Sequence, residues 1–381
     1  MQGGPGDSGV NFILDNAEQL YPLYGKNFNF VSFDPRGVNN SRAGLSLECF
    51  PGNAQARRAW NGEYFRKPVD TSSSISMYEG WAKAGGWGEL CTTVGAADSK
   101  RRYANTVAAA HDMLRYVEIL AQSRGQAAAE AKLWYYGLSY GTALGTTFAT
   151  LFPDRIARMV LDGVVNSDQY YGGRWEDLLT DGDAAVRDFF VSCYKAGPEI
   201  CVFCGNASSA ADVEARFFRI YNDLKENPII ISDPSITSIP TILGAGDLKA
   251  ALFLATYSPF GDYPLMAAML AELEVGNATI LASRSGLPTR QSPIEPKDNT
   301  YVADSVRTQI LCLDANGRAG ISTQEQFEEH ADLMHDLSFF GGEYFSVIMG
   351  VACRSYEIRP PPSQVFSGAS FTFQTCLCEM I

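Results

Sequence analysis

From residue 131 to residue 164 the chain reads AKLWYYGLSYGTALGTTFATLFPDRIARMVLDGV, and this run restricts the fold more than any other. AKLWYYG is apolar, aromatic and closed by glycine, which is the pattern of a strand. SYGTALGTTFATLF has the small and apolar residues of a packed helix and is ended by Pro153. IARMVLDGV reads as a second strand. Strand, helix and strand at this spacing predict a parallel βαβ unit.

Within that unit Ser139 lies between Gly137 and Gly141 in the pattern Gly-x-Ser-x-Gly. A serine at the turn from strand to helix is held in a strained conformation, with its hydroxyl raised above the sheet. The positions two before and two after it lie close to neighbouring backbone and tolerate almost no side chain. The helix N-terminus favours negative charge forming beside the hydroxyl. GGPGDSG, residues 3–9, is a glycine-rich loop that precedes a helix and can point backbone N–H groups into a site. An acyl-transfer oxyanion needs two such donors. The candidates are the amide of Tyr140 and an amide of Gly3 or Gly4.

Elsewhere the patterning is coarser. VNFILDNAEQLYPLYG predicts a helix, FNFVSFD at residues 28–34 a buried strand, and residues 50–100 an irregular stretch rich in Gly, Ser and Trp. RRYANTVAAAHDMLRYVEILAQSRG has helical spacing and a glycine stop. From residue 168 to about 340, amphipathic helical segments dominate and no internal repeat is found. The expected organisation is therefore a sheet domain over residues 1–167, a helical cap inserted at 168–344, and the start of a further sheet portion at 345–381, with at most one short strand in the tail.

The net charge of −13 leaves no clustered basic surface, which argues against a nucleic-acid partner. Apolar runs such as AALFLATY are too short to cross a bilayer, so no membrane span is expected. Nine cysteines and sequons at Asn39, Asn206 and Asn277 suggest an oxidising, secretory setting. Cys49 with Cys91, Cys193 with Cys201 and Cys312 with Cys353 are plausible pairs by proximity, although sequence leaves connectivity open. No cofactor or zinc site is suggested, because CVFCG has no second Cys or His pair at useful spacing. Met1 leads directly into QGGPGDSG without the segments of a signal peptide, so the chain is expected to be intracellular or to lack its beginning.

QGGPGDSG, VSFDPRGVNNS, WYYGLSYGT, FPDRIARMVLDGVV, QILCLD and GVACRSYEIRPP, in that order, resemble the α/β-hydrolase family of secreted tripeptidyl aminopeptidases and related proline iminopeptidases. The resemblance implies an α/β-hydrolase fold, a mostly parallel sheet flanked by helices, with a helical cap. It implies Ser139 as nucleophile, Gly3, Gly4 and Tyr140 as the oxyanion hole, and a structural part for Asp34, Arg36 and Asp162. The substrate would be a peptide with a free N-terminus, its amine held by acidic cap residues that no local motif identifies. An esterase on small acyl groups would share the same chemistry.

A serine nucleophile also needs a histidine and a carboxylate to orient it, and in this fold they follow the serine. The family's Asp-Pro-x-Thr-Pro-like turn and its Gly-His are absent from the sequence. Only His111, His330 and His335 are available. His111 precedes the serine in a helix. His330 and His335 are five residues apart in FEEHADLMHDL, about 140° around a helix, which separates their faces. A substitute triad of Ser139, Asp162 and His330 or His335 is the remaining arrangement. The family's strand before the glycine-rich loop would also have to precede Met1, which leaves the core sheet incomplete. The expectation is a fragment, truncated at both ends, inactive as it stands or retained as a binding protein. Its oligomeric state is left open.

Overall fold

The computed structural model describes residues 3–25, 27–237, 240–284, 301–348 and 350–366. At its centre β1 (Leu133–Leu138) pairs in parallel with β2 (Ile156–Asp162), Gly137 opposite Leu161 and Leu138 opposite Asp162. The crossover between them is the helix Tyr140–Leu151, here the elbow helix, which packs on both strands. Gly145 permits this approach: a methyl group there would fall 2.7 Å from Leu161 Cδ2. The helix Thr106–Ser123 flanks the elbow helix and is started by Asn105, whose side chain accepts from the Ala108 amide. Leu133, Tyr135 and Gly137 of β1 face this helical layer and are buried, whereas Trp134 is 56% exposed on the other face.

Two expectations fail here. Residues 28–34 form no strand: the segment packs its rings on neighbours, Phe30 on Tyr21 and Tyr24 and Phe28 on Trp134, but no ladder partner lies beside it among the described residues. An apolar run without a paired neighbour cannot satisfy its backbone as a strand. Residues 50–100 are not irregular, because Ala54–Tyr64 and Ser74–Gly95 are helices. The second is glycine-rich for close packing rather than for flexibility. A methyl group on Gly88 would meet Ala352 O at 2.6 Å, and one on Gly85 would meet the Arg354 guanidinium.

Asp34 ties the start of the chain to the turn after residue 34. It accepts from Ser8 Oγ (2.7 Å), the Val10 amide and both nitrogens of Asn40. Burial works against its charge, yet these hydrogen bonds, Ser8 first, hold the carboxyl below its ordinary pKa. Arg36 grips Asp112 with two bonds of 2.7 Å, fixing the turn to the helix Thr106–Ser123.

The helices Gly182–Ala196, Ala210–Glu226, Ala245–Ala255, Pro259–Leu273 and Gln324–Leu337 form a second packed body with a short antiparallel pair, β3 (Ile229–Ile231) and β4 (Thr241–Leu243). Its core is aromatic, with Phe217 in ring contact with both Phe190 and Phe340. Within it the buried Lys249 ammonium pairs with Glu343 and lies 4.5 Å from the Phe339 ring centroid. All three cysteine pairs form disulfides: Cys49–Cys91, Cys193–Cys201 and Cys312–Cys353. No helix among the described residues is long and apolar enough to cross a membrane. The tail, residues 367–381, and its expected short strand lie outside the described residues.

Candidate active site

Ser139 has φ 54° and ψ −119°, a conformation that L-residues rarely adopt, at the junction of β1 and the elbow helix. Such a residue persists only where its surroundings fix it. Here its amide donates to Asp162 O (2.9 Å), while its carbonyl accepts from the Thr142 amide (2.8 Å) and Thr142 Oγ1 (2.6 Å). Thr142 Oγ1 in turn accepts from the Val165 amide at 2.9 Å, so the loop after β2 braces the turn. Gly137 is required by contact: its missing Cβ would lie 2.5 Å from Gly141 O. Tyr135 Oη donates to that same carbonyl at 2.6 Å.

The glycine-rich loop comes directly against the serine. A Cβ on Gly3 would stand 2.9 Å from both Cβ and Oγ of Ser139. Gly4 follows with φ 109°, a value suited to glycine. Tyr140 is the first residue of the elbow helix, so its amide has no acceptor within that helix. Gly3 thereby lies against the Ser139 hydroxyl, with a strained backbone beneath it and a helix N-terminus beside it. Backbone N–H groups and a helix N-terminus beside a hydroxyl favour negative charge forming there.

The other candidates make different contacts. The Asp162 side chain accepts from Tyr136 Oη at 2.8 Å, and its backbone carbonyl receives the Ser139 amide. His111 sits edge-on to Phe152, its ring centroid 5.0 Å away. His330 is buried on the helix Gln324–Leu337; desolvation pushes its pKa down, partly opposed by the nearby Glu176. On another side of that helix His335 Nδ1 is 3.6 Å from Glu343 Oε1. No hydrogen bond among the described residues joins an imidazole to Ser139 Oγ, and none of their His, Cys, Asp and Glu groups could hold a metal ion.

Sequence reasoning passed over a buried polar cluster beside Tyr140. Asp314, on the helix Ala303–Ala315, accepts from the Thr106 amide (2.9 Å), Thr106 Oγ1 (2.6 Å) and Tyr170 Oη (2.7 Å). Thr106 Oγ1 lies 2.8 Å from Tyr140 Oη. Burial raises the Asp314 pKa to about 6, against the opposing pull of these hydrogen bonds and Arg318. The motif QILCLD contained this aspartate, but its partners lie far away in the chain.

A family model described as the alpha/beta hydrolase fold matches residues 1–192. The chain is 26% identical over 264 residues to the serine protease Hip1 of Mycobacterium tuberculosis, covering 68% of this chain and 45% of that protein. It is 32% identical over 205 residues to a tripeptidyl aminopeptidase of Streptomyces lividans, covering 49% of this chain and 34% of the relative. A tripeptidyl aminopeptidase of Streptomyces coelicolor matches at 31% over 205 residues, again 49% and 34%. The chain thus spans less than half the length of these curated relatives. With the parallel βαβ core and the family match over half its residues, the chain belongs to the α/β-hydrolase fold family.

Proposed function

We propose that this chain carries the acylation centre of a serine peptidase that acts near the free N-terminus of peptides, with Ser139 as nucleophile. The observation that carries the reading is the strained Ser139, φ 54°, with Gly3 packed against its hydroxyl. Ser139 Oγ would attack the peptide carbonyl and form an acyl-enzyme while the amine leaves. The amides of Tyr140 and of Gly3 or Gly4 would hold the oxyanion. Residues 1–167 would supply this centre and the helical segments of 168–344 would form the cap that shapes the peptide pocket. The relatives named serine protease and tripeptidyl aminopeptidase support a peptide substrate. Three disulfides support a secreted protein in an oxidising compartment.

Without an imidazole bonded to Ser139 Oγ, turnover by this chain is expected to stay near background. Centres stripped of one triad member still retain a residual acceleration of about 10³–10⁴ over water from the oxyanion hole and binding. The test is therefore covalent labelling rather than turnover. A fluorophosphonate probe is expected to label the folded chain slowly and at a single residue, and Ser139→Ala is expected to abolish the label. A folded chain that resists the probe would instead favour a non-catalytic binding protein, the reading consistent with a Ser139 Oγ that no imidazole among the described residues hydrogen-bonds. Faster labelling by aryl phosphates than by peptidyl phosphonates would favour the esterase.

A further inference from the structure

The helix Ala303–Ala315 reaches the glycine-rich loop at Gly6 and, through Thr106, the side chain of Tyr140. At its first turn it receives the glycine-rich loop: a Cβ on Gly6 would lie 3.0 Å from Arg307 N and 3.3 Å from Ala303 O. Tyr301, two residues before the helix, donates its hydroxyl to Gly6 O, and Arg307 Nη2 stands 4.0 Å from Asp7 Oδ1. Near its last turn the same helix carries Asp314, which is 5% exposed. An ionised carboxylate only accepts, so Thr106 must donate its hydroxyl proton to Asp314 Oδ2 at 2.6 Å. The Thr106 oxygen is then left to accept from Tyr140 Oη at 2.8 Å. The proton order runs from Tyr140 to Thr106 to Asp314.

We propose that Asp314 is a positioning residue, holding the Tyr140 ring through Thr106 so that the helix Ala303–Ala315 fixes both oxyanion donors relative to each other. The inference rests on the reading of Ser139 given above. Its physical argument is one of cost. A carboxylate taken out of water is expensive, and apolar residues of similar volume would often be more stable at such a site. This carboxylate instead terminates a chain of hydroxyls whose other end belongs to the residue following Ser139. Tyr170 Oη donates to Asp314 as well, at 2.7 Å, and its ring lies 5.8 Å from that of Tyr140, so the tyrosine is held from two sides. Rigidity matters here because an oxyanion donor works by being in place before charge develops.

Thr106→Val removes the bridging hydroxyl and keeps the branched shape. The expected result is a fall of about tenfold in the rate constant for fluorophosphonate labelling of Ser139. Tyr140→Phe is expected to cost as much, and the double variant no more than either alone, since both cut the same chain. Asp314→Asn, which keeps an acceptor oxygen, should recover most of the rate lost in Asp314→Ala. Variants that melt earlier but label at the parental rate while folded would overturn the proposal, leaving Asp314 a stabilising residue only. A second readout does not depend on labelling: the ¹⁵N-tyrosine amide resonance of Tyr140. Its displacement or broadening in Thr106→Val supports the proposal, and an unchanged resonance overturns it. If the parent chain takes no label, the Ser139 reading has failed, and this resonance still decides whether Asp314 positions Tyr140.

Discussion

The turn at Ser139 and the Lys249–Glu343 cluster are both costly arrangements, and they are held in opposite ways. The turn is local: its glycines, its strained serine and its hydroxyl brace all lie between residues 135 and 165. The cluster is assembled from distant segments, with Thr71 and Lys249 both reaching Glu343. Local strain is enforced by sterics that cannot relax, whereas a buried ion pair is enforced by the cost of leaving either charge unpaired away from water. The first is written into a short motif and the second is not.

Five measurements would break or sharpen this contrast. Lys249→Met should have the largest effect, about 3–5 kcal/mol of lost stability in urea unfolding, because it strands the Glu343 carboxylate in the interior. Lys249→Met combined with Glu343→Leu should recover much of that loss; failure to recover would mean packing, not charge, sets the cost. Gly137→Ala should cost about 3 kcal/mol, since its methyl meets Gly141 O at 2.5 Å and backbone cannot step aside.

Asp314 comes next. Its pKa stands at about 6 in the folded chain against an ordinary 3.8, so the folded state holds the proton more tightly. The associated stability is complete below about pH 4 and is lost as pH rises through about 6, no more than about 3 kcal/mol in all. Subtracting the profile of Asp314→Asn from that of the parent should isolate this slope, and parallel profiles would refute it. Ser139→Gly should have the smallest effect and the opposite sign, a gain of about 1 kcal/mol, because glycine adopts φ 54° without strain. A loss instead would show that the hydroxyl, and not the backbone, stabilises the turn.

The same contrast explains what could be read in the sequence. The parallel unit around Ser139 and the loop at Gly3 were legible because each requirement sits within a few residues of the next. The three disulfides were approachable because cysteines that pair are near each other in the chain, 42, 8 and 41 residues apart. The helix Ser74–Gly95 was misread because its glycines serve close contacts, Gly85 and Gly88 with residues 352–355, and they erase the apolar stripe by which a surface helix is recognised. Residues 28–34 were misread for the converse reason: strand-like composition does not supply a neighbour. The part taken by Asp314 was illegible because Thr106 lies 208 residues away and no spacing rule connects them.

The closeness of Gly3 to Ser139 has a consequence for how such a centre could be silenced. An alanine at position 3 would bring its methyl within 2.9 Å of Ser139 Cβ, so the loop or the serine would have to shift to admit it. Its single methyl would nevertheless occupy the space 2.9 Å from the hydroxyl oxygen, where an incoming acyl carbon must pass. One carbon atom would act as a shutter, pressed against the very side chain that it covers.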